Sequence, residues 1–458
     1  MDKISPELDY STPKFNHSQV QFRNIAPQGS NSVTTSVTST VGCTEFIIPP
    51  ACFRLDKSRI NFTLSLVAAA AGAGNVINAN TLTAISRITL YDSATNALWV
   101  DISNVNNYAS LVVPACTDYK EYATKSFHST TPVTGADAGA AVTAARKVTV
   151  EDISKANLST LNETGDGESL SAQNPFFSRR QFYFGTAAVL NALDVSIPLS
   201  AFKMSVLSSD KLMYCPSNLV LQIYWNANNN YAFSAVAANS APDSGPAALA
   251  TPISISNISL TLANETNLEI ISNVIDTVMN KGLSLPIAYP TVTRQSISAS
   301  TAHSYQLSLT RGYGQRILAI ITAPFSAAAG ANNANVHSRG VLTTYNTFLN
   351  NVAVKAQSGF DATLSEDFLK ANREYLKDSV IQTLGEYVVG EYVLIDSFFG
   401  ERPIKDVNQH EIDGLDVGAQ SATWSIQANL SASAAYNWTS IIVGQKVLTI
   451  SNQGSMVQ

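Results

Sequence analysis

The sequence predicts an all-β protein of two consecutive eight-stranded jelly rolls, with a few short helices mainly in the second half. Three observations carry this prediction. Short segments of alternating apolar and polar residues recur along most of the chain, the period-2 signature of half-buried strands. Loops of Ala, Gly, Asn and Ser separate them, in place of long helical patterns. The pattern also divides at Ala235–Thr251 (AVAANSAPDSGPAALAT), which carries two prolines and one charge. Each half is then about 200 residues, too large for an immunoglobulin-type sandwich and suited to eight strands with long connections.

Taken in order, residues 1–38 are polar and aperiodic and close on the Ser/Thr-rich run Ser30–Thr40. They are expected to form an N-terminal arm with no packed element. Residues 39–240 are assigned to the first barrel and 241–458 to the second. In Ile60-Asn-Phe-Thr-Leu-Ser-Leu, Ile60, Phe62, Leu64 and Leu66 share one face, with Asn61, Thr63 and Ser65 on the other. Around it, strands are expected at Glu45–Ile48, Ala84–Tyr91, Ala97–Ile102, Arg146–Glu151, Arg180–Phe184, Leu193–Pro198 and Leu219–Trp225. The second half opens on Ile253–Leu262, read as one strictly alternating strand. It continues with Gln295–Ser300, Ser304–Thr310, Ile317–Thr322, Val341–Phe348, Val352–Ala356, Tyr392–Asp396, Thr423–Leu430 and Ser440–Ile450.

Two segments break this rhythm. Leu268, Ile271, Ile275 and Val278 recur at helical spacing and end at Lys281-Gly282, a helix with a glycine stop. Thr363-Leu-Ser-Glu366 is a capping-box pattern ahead of Phe368, Leu369, Leu376, Val380 and Ile381, which predicts a second amphipathic helix over 364–384.

Composition removes several classes of function. Charged residues make up 14% of the chain against roughly 25% in ordinary soluble proteins, while 45% is hydrophobic. A disordered chain needs the opposite balance. No apolar run reaches the length of a membrane-spanning helix, about 18 residues. The net charge is −6 and no Lys/Arg block occurs, so the sequence has no electrostatic footprint for wrapping nucleic acid. Cys43, Cys52, Cys116 and Cys215 show no metal-binding spacing and are expected to be free thiols; a Cys43–Cys52 bridge is the alternative. The first residues, MDKISPELDYSTPKF, lack the apolar core of a secretory signal, so the chain is expected to fold in cytosol. A surface this poor in charge is expected to meet other protein.

No catalytic, cofactor-binding or metal site emerges, and no cofactor is expected. The five histidines, His17, His128, His303, His337 and His410, form no metal pair. His410-Glu-Ile-Asp413-Gly-Leu-Asp416 and Asp166-Gly-Glu168 read as polar turns, since neither fits a zinc or calcium loop. Gly312-Tyr-Gly314 reads as a tight turn. Arg179-Arg180 after Phe176-Phe177 lacks the companion cations of a nucleic-acid groove. Nucleophile-elbow and phosphate-loop patterns are missing from the sequence. Tyr345-Asn-Thr-Phe-Leu-Asn-Asn351, Ser397-Phe-Phe399 and Tyr436-Asn-Trp438 combine aromatics with Asn and read as core packing at strand ends.

The segment Thr44-Glu-Phe-Ile-Ile-Pro, followed by Phe53-Arg-Leu-Asp-Lys-Ser-Arg-Ile-Asn-Phe-Thr-Leu, resembles the opening of double jelly-roll major capsid proteins. Ile85-Ser-Arg-Ile-Thr-Leu-Tyr and Ala97-Leu-Trp-Val-Asp-Ile-Ser-Asn-Val-Asn-Asn-Tyr108 are similar to the next block of that family. In the second half the likeness continues through Tyr345–Val354, Phe360-Asp, Tyr392–Phe399, Trp424–Leu430 and Tyr436–Trp438. The look is closest to polinton-like virus and virophage capsid proteins of the adenovirus and tectivirus lineage. The resemblance implies a homotrimer forming a pseudo-hexameric capsomer of an icosahedral double-stranded DNA virus. It also implies short outer loops and an arm that links neighbouring capsomers or reaches the inner shell surface. The partners it implies are neighbouring capsomers and penton and minor capsid proteins, with an internal membrane in many relatives and no sequence-specific nucleic-acid binding. The chain would reside in the virion after folding in the host cytoplasm.

Two other functions are compatible with a β scaffold. A surface carbohydrate-binding or adhesive protein would expose Trp99, Trp225, Trp424 or Trp438 along a groove. A hydrolase would need a nucleophile beside a base, for which the sequence shows no support.

Overall fold

Alternation in the sequence becomes two stacked sheets in each half of the chain. A computed structural model describes residues 18–36, 42–67, 75–77, 81–116, 132–134, 145–147, 182–183, 185–186, 189–190, 192–228, 231–234, 252–326, 340, 342–354, 362–369, 373–377, 392–400, 404 and 414–458. The first barrel has strands β1 (Val20–Ile25), β2 (Cys43–Ile48), β3 (Cys52–Leu66), β4 (Ile85–Asp92), β5 (Leu98–Ser103), β6 (Ala192–Pro198), β7 (Leu219–Trp225) and β8 (Ile253–Glu265). All pairings are antiparallel, in one sheet ordered β1-β8-β3-β6 and another ordered β2-β7-β4-β5. Ile60, Phe62 and Leu64 of β3 point into the core between them, as their spacing predicts.

The second barrel repeats this plan with fewer, longer strands. These are β9 (Leu283–Leu309), β10 (Arg316–Ser326), β11 (Leu342–Leu349), β12 (Val352–Ala353), β13 (Leu394–Ser397) and β14 (Ala422–Ser451), followed by β15 (Gly454–Val457). β9 and β14 each run through both sheets, and their mutual register shifts between Ile297 and Ala302. Residues 283–297 pair with 436–450 of β14, which pairs with β10, which pairs with β13. Residues 302–309 pair with 422–429, which pair with β11, which pairs with β12. Divided at their bends, the strands read first-eighth-third-sixth and second-seventh-fourth-fifth, the same two orders as the first barrel.

Helices punctuate the strands. α1 (Val105–Cys116) follows β5 and buries Val105, Tyr108, Ala109, Leu111 and Val112. The sequence reading missed it because apolar residues run around it and Pro114 lies within its last turn. α2 (Leu268–Lys281) forms with its predicted glycine stop and lies between β8 and β9; Asn267 caps it by accepting from Glu269 N, and Gly282 stops it at φ 73°. α3 (Leu364–Asp367) starts on the predicted capping box, with Thr363 and Glu366 bonded reciprocally. Of the expected helix over 364–384, the described residues show a π-type turn at 368–369, helix at Arg373–Tyr375 and a turn at 376–377, with 370–372 and 378–384 outside the described residues.

The strand pairing departs from the local pattern in several places. Residues 18–36 are not an unpacked arm. β1 pairs with β8, Val33–Thr35 pairs with Ile253–Ile255, and buried Thr35 donates to Asn228 Oδ1 at 2.5 Å. β8, which lies beyond residue 241, pairs with β1 and β3 of the first sheet. Ala235–Thr251 therefore separates two strands of one barrel, and no local pattern reveals that β8 returns to pair with β1. β8 itself does not alternate strictly. Asn257 adopts φ 53° at a register shift, so the buried set passes from Ile253 and Ile255 to Ile258, Leu260 and Leu262. This is a β-bulge, the extra residue switching which face the following side chains occupy.

Candidate assembly site

A two-barrel building block works as a unit only when the barrels hold one another. Their joint is centred on Asp92, the last residue of β4, which is fully buried. Its Oδ2 accepts from Ser455 N at 2.7 Å and Ser455 Oγ at 2.8 Å, both from β15 of the second barrel. Its Oδ1 accepts from Ser217 Oγ at 2.5 Å and Ala94 N at 2.9 Å, both from the first barrel. Ser455 Oγ also accepts from Trp99 Nε1 at 2.8 Å, and Thr95 Oγ1 donates to Ser455 O at 2.7 Å. β15 comes this close because Gly454 lacks a side chain: a Cβ there would lie 2.7 Å from Thr95 Cγ2, and its φ of +110° suits glycine alone.

Further contacts extend the seam. Asn107 Nδ2 of α1 donates to Thr439 Oγ1 of β14 at 3.0 Å. Arg87 makes a bidentate pair with Asp101 at 2.7 Å and lies 5.7 Å from the Tyr224 ring centre. On the second-barrel side, Lys446 lies over the Tyr289 ring at 3.8 Å, and burial lowers its pKa. Burial, helped by the charge of Asp101, pushes the Tyr289 hydroxyl up to about 12. The hydrophobic core is continuous between the barrels.

A second carboxylate fastens the linker. Glu265, at the end of β8, accepts from Gln19 N at 2.7 Å, Thr266 N at 3.1 Å, Asn267 N at 3.0 Å and Ser18 Oγ at 2.5 Å. It thus ties the start of β1 to the start of α2, where a negative charge also suits the helix dipole. For Asp92 and Glu265 alike, burial alone would raise the pKa, but the hydrogen-bond donors outweigh it and hold each carboxyl below its ordinary value. Their stabilisation is therefore complete above the ordinary carboxylate range and is lost as pH falls through it toward the folded pKa values. Unfolding free energy from urea titrations should be level near neutrality and drop below about pH 4.5. Asp92→Asn should flatten part of that drop. A level profile down to pH 3, unaltered by the substitution, would remove these carboxylates from the account.

Where they are described, the residues singled out in the sequence have partners within the fold. His303 is buried; its Nδ1 accepts from Trp438 Nε1 at 3.0 Å, and Nε2 faces Ser300 O at 3.1 Å. That pattern is a neutral imidazole with its proton on Nε2. Asp416 Oδ1 accepts from Gly418 N at 2.8 Å in a turn, while His410 and Asp413 lie outside the described residues. So do His17, His128, His337, Asp166, Glu168, Phe176, Phe177, Arg179 and Arg180. Gly312-Tyr-Gly314 is a tight turn, as read, and it also presses onto β14. All four tryptophans are fully buried, with indole N–H groups bonded to Ser455, Thr44, Asp396 and His303. This removes the exposed aromatic groove that motivated a carbohydrate-binding reading. Tyr345, Phe399 and Trp438 pack in the core. The four cysteines are free thiols, three of them buried. Among the described residues no cluster of His, Cys, Asp or Glu is arranged to hold a metal.

The sequence reading did not find Asp92 or Glu265. Asp92-Ser-Ala-Thr-Asn96 could be recognised as a turn, but nothing local joins it to a serine 363 residues away.

The order of strands in both barrels decides the architecture. The chain is a double jelly roll. Solved structures share this fold across nearly the whole length. A chain from the Sputnik virophage, solved by cryo-EM, matches with TM-score 0.54 and 12% identity, covering 100% of this chain and 92% of that one. The mavirus major capsid protein matches with TM-score 0.50 and 11% identity, covering 100% and 95%. PBCV-1 VP54, fitted into a reconstruction of Sputnik, matches with TM-score 0.50 and 10% identity, covering 98% of each chain. No family model and no curated protein matches the sequence.

Proposed function

We propose that this double jelly roll is a major capsid protein, three copies of which form a pseudo-hexameric capsomer of an icosahedral double-stranded DNA virus. The observation that carries the reading is the duplicated barrel locked by a buried joint. Two equivalent barrels per chain give six around a threefold axis, a closed symmetry that tiles a shell with near-equivalent contacts. The fold shared with virophage capsid structures supports the same reading. So does the low charged fraction of the chain, 14%, because desolvating a lone charge at an interface is costly. The role is structural and non-enzymatic. Partners are neighbouring capsomers and penton and minor capsid proteins, and the chain resides in the virion after folding in host cytoplasm. Within this reading the first barrel runs through Glu265 and the second from Leu283.

Light scattering on the purified chain should give a particle near three times the chain mass of 48.9 kDa. Negative-stain images should show hexagonal outlines. A stable monomer at high concentration would overturn the proposal.

A further inference from the structure

One face near the joint of the barrels is left apolar. On α2, Leu268, Ile271, Ile275 and Met279 form a stripe, as their helical spacing requires. Helix α2 buries only Val278 fully, leaving Leu268 79% and Met279 41% exposed. Beside the stripe lies a groove of about 720 Å³ whose walls include Phe22, Arg23, Ile271 and Ile275. Phe22 is 59% exposed on β1, the edge strand of its sheet. Asn264 also lines the groove, and its buried Oδ1 has no hydrogen-bond partner among the described residues.

Charge completes the surface. Arg23 forms no ion pair among the described residues, and neither do the carboxylates of Glu269 and Asp276 on the exposed side of α2. Across this face run a cation on a strand edge, a groove, an apolar ridge and two carboxylates. A groove beside a ridge and a cation beside anions are together complementary to a second copy of the same face turned through a twofold axis.

We infer that this face is an isologous contact between two copies of the chain. The Leu268–Met279 ridge of each copy seats in the groove of the other, and Arg23 of each meets Glu269 and Asp276 of its mate. This rests on the assembly reading, as a contact between capsomers and separate from the contacts within one.

Sedimentation velocity on the full chain over a concentration series tests it. At low concentration the closed oligomer is read; at high concentration each of its copies of the face can take a mate, so species of at least twice its mass should appear. Leu268→Asp or Arg23→Glu should raise the concentration needed for doubling by about tenfold or more, leaving the closed oligomer and the circular dichroism spectrum unchanged. Adding Glu269→Arg and Asp276→Arg to Arg23→Glu should restore it. The inference is overturned if the wild type never doubles or if the variants double at the wild-type concentration. It is also overturned if the face instead floats the protein with phosphatidylcholine–phosphatidylserine vesicles in a Leu268-dependent way. A low-concentration species other than a trimer would defeat the capsomer reading, while doubling of that species would still report on the face.

Discussion

Asp92→Ala should lower the stability of the chain by about 3–5 kcal/mol, because buried donors on both barrels lose their acceptor at once. Two of those donors, Ser455 N and Oγ, belong to the second barrel, and Ser217 Oγ and Ala94 N belong to the first. Each donor left buried and unpaired costs about 1–3 kcal/mol, offset where water enters. Asp92→Asn should do less damage, since it keeps the shape and one acceptor while turning an NH2 group toward donors. Ser455→Ala should cost about 1–2 kcal/mol, losing one donor to Asp92 and the acceptor of Trp99 Nε1. Urea unfolding at one fixed protein concentration measures all three, because assembly makes apparent stability depend on concentration. The double variant Asp92→Ala with Ser455→Ala should cost clearly less than the sum of the single ones. Additive effects, or a loss below about 1 kcal/mol for Asp92→Ala, would mean that the carboxylate does not hold the barrels together.

Gly444→Ala should be the most damaging one-methyl change in the second barrel. Gly444 lies in the middle of β14, paired with Tyr289 on one side and Ile317 on the other. A Cβ there would fall 1.8 Å from Tyr313 O and 2.7 Å from its carbonyl carbon. Backbone atoms cannot rotate away as a flexible side chain would. The turn at Arg311–Tyr313 is itself fastened, with Gln315 N donating to Gln445 O at 2.9 Å. Gly314 answers from the other side, since a Cβ on it would lie 2.6 Å from Gln445 O. Relief requires either lifting the turn or bending the central strand, so the loss should be about 3 kcal/mol or more. Thermal unfolding should show it as a markedly lower midpoint or as insoluble protein. Gly312→Ala is the control: its nearest neighbour would be Thr310 Oγ1 at 3.5 Å, and it should be nearly silent. Equal effects at the two positions would refute the close-packing account.

Much of the fold is legible locally. β7 matches its predicted bounds, α2 ends on its predicted glycine stop, and the capping box at Thr363 forms as read. Ile60, Phe62 and Leu64 face the core because a pleated strand leaves them no other side once Asn61 and Thr63 face out. Failures fall where local pattern is silent or misleading. β1 offers only half-buried and exposed positions, so its sequence carries no apolar face. The start of β9 contains Pro286 and Pro290, which argue against a central strand; β9 tolerates them at the edge, where one side needs no donor. α1 is buried on too many sides to show an amphipathic period.

What the sequence determines by itself is the class: alternation and small-residue loops in place of long helical patterns specify a β protein. Only the tertiary structure decides which strand closes which barrel, and so where the first barrel ends. It alone puts Asp92 against Ser455 and buries all four tryptophans. The reason is physical. Periodicity is a property of neighbours along the chain, whereas strand partners and buried hydrogen bonds are chosen among residues hundreds of positions apart, by which pairing leaves the fewest polar groups unsatisfied and the most apolar surface dry.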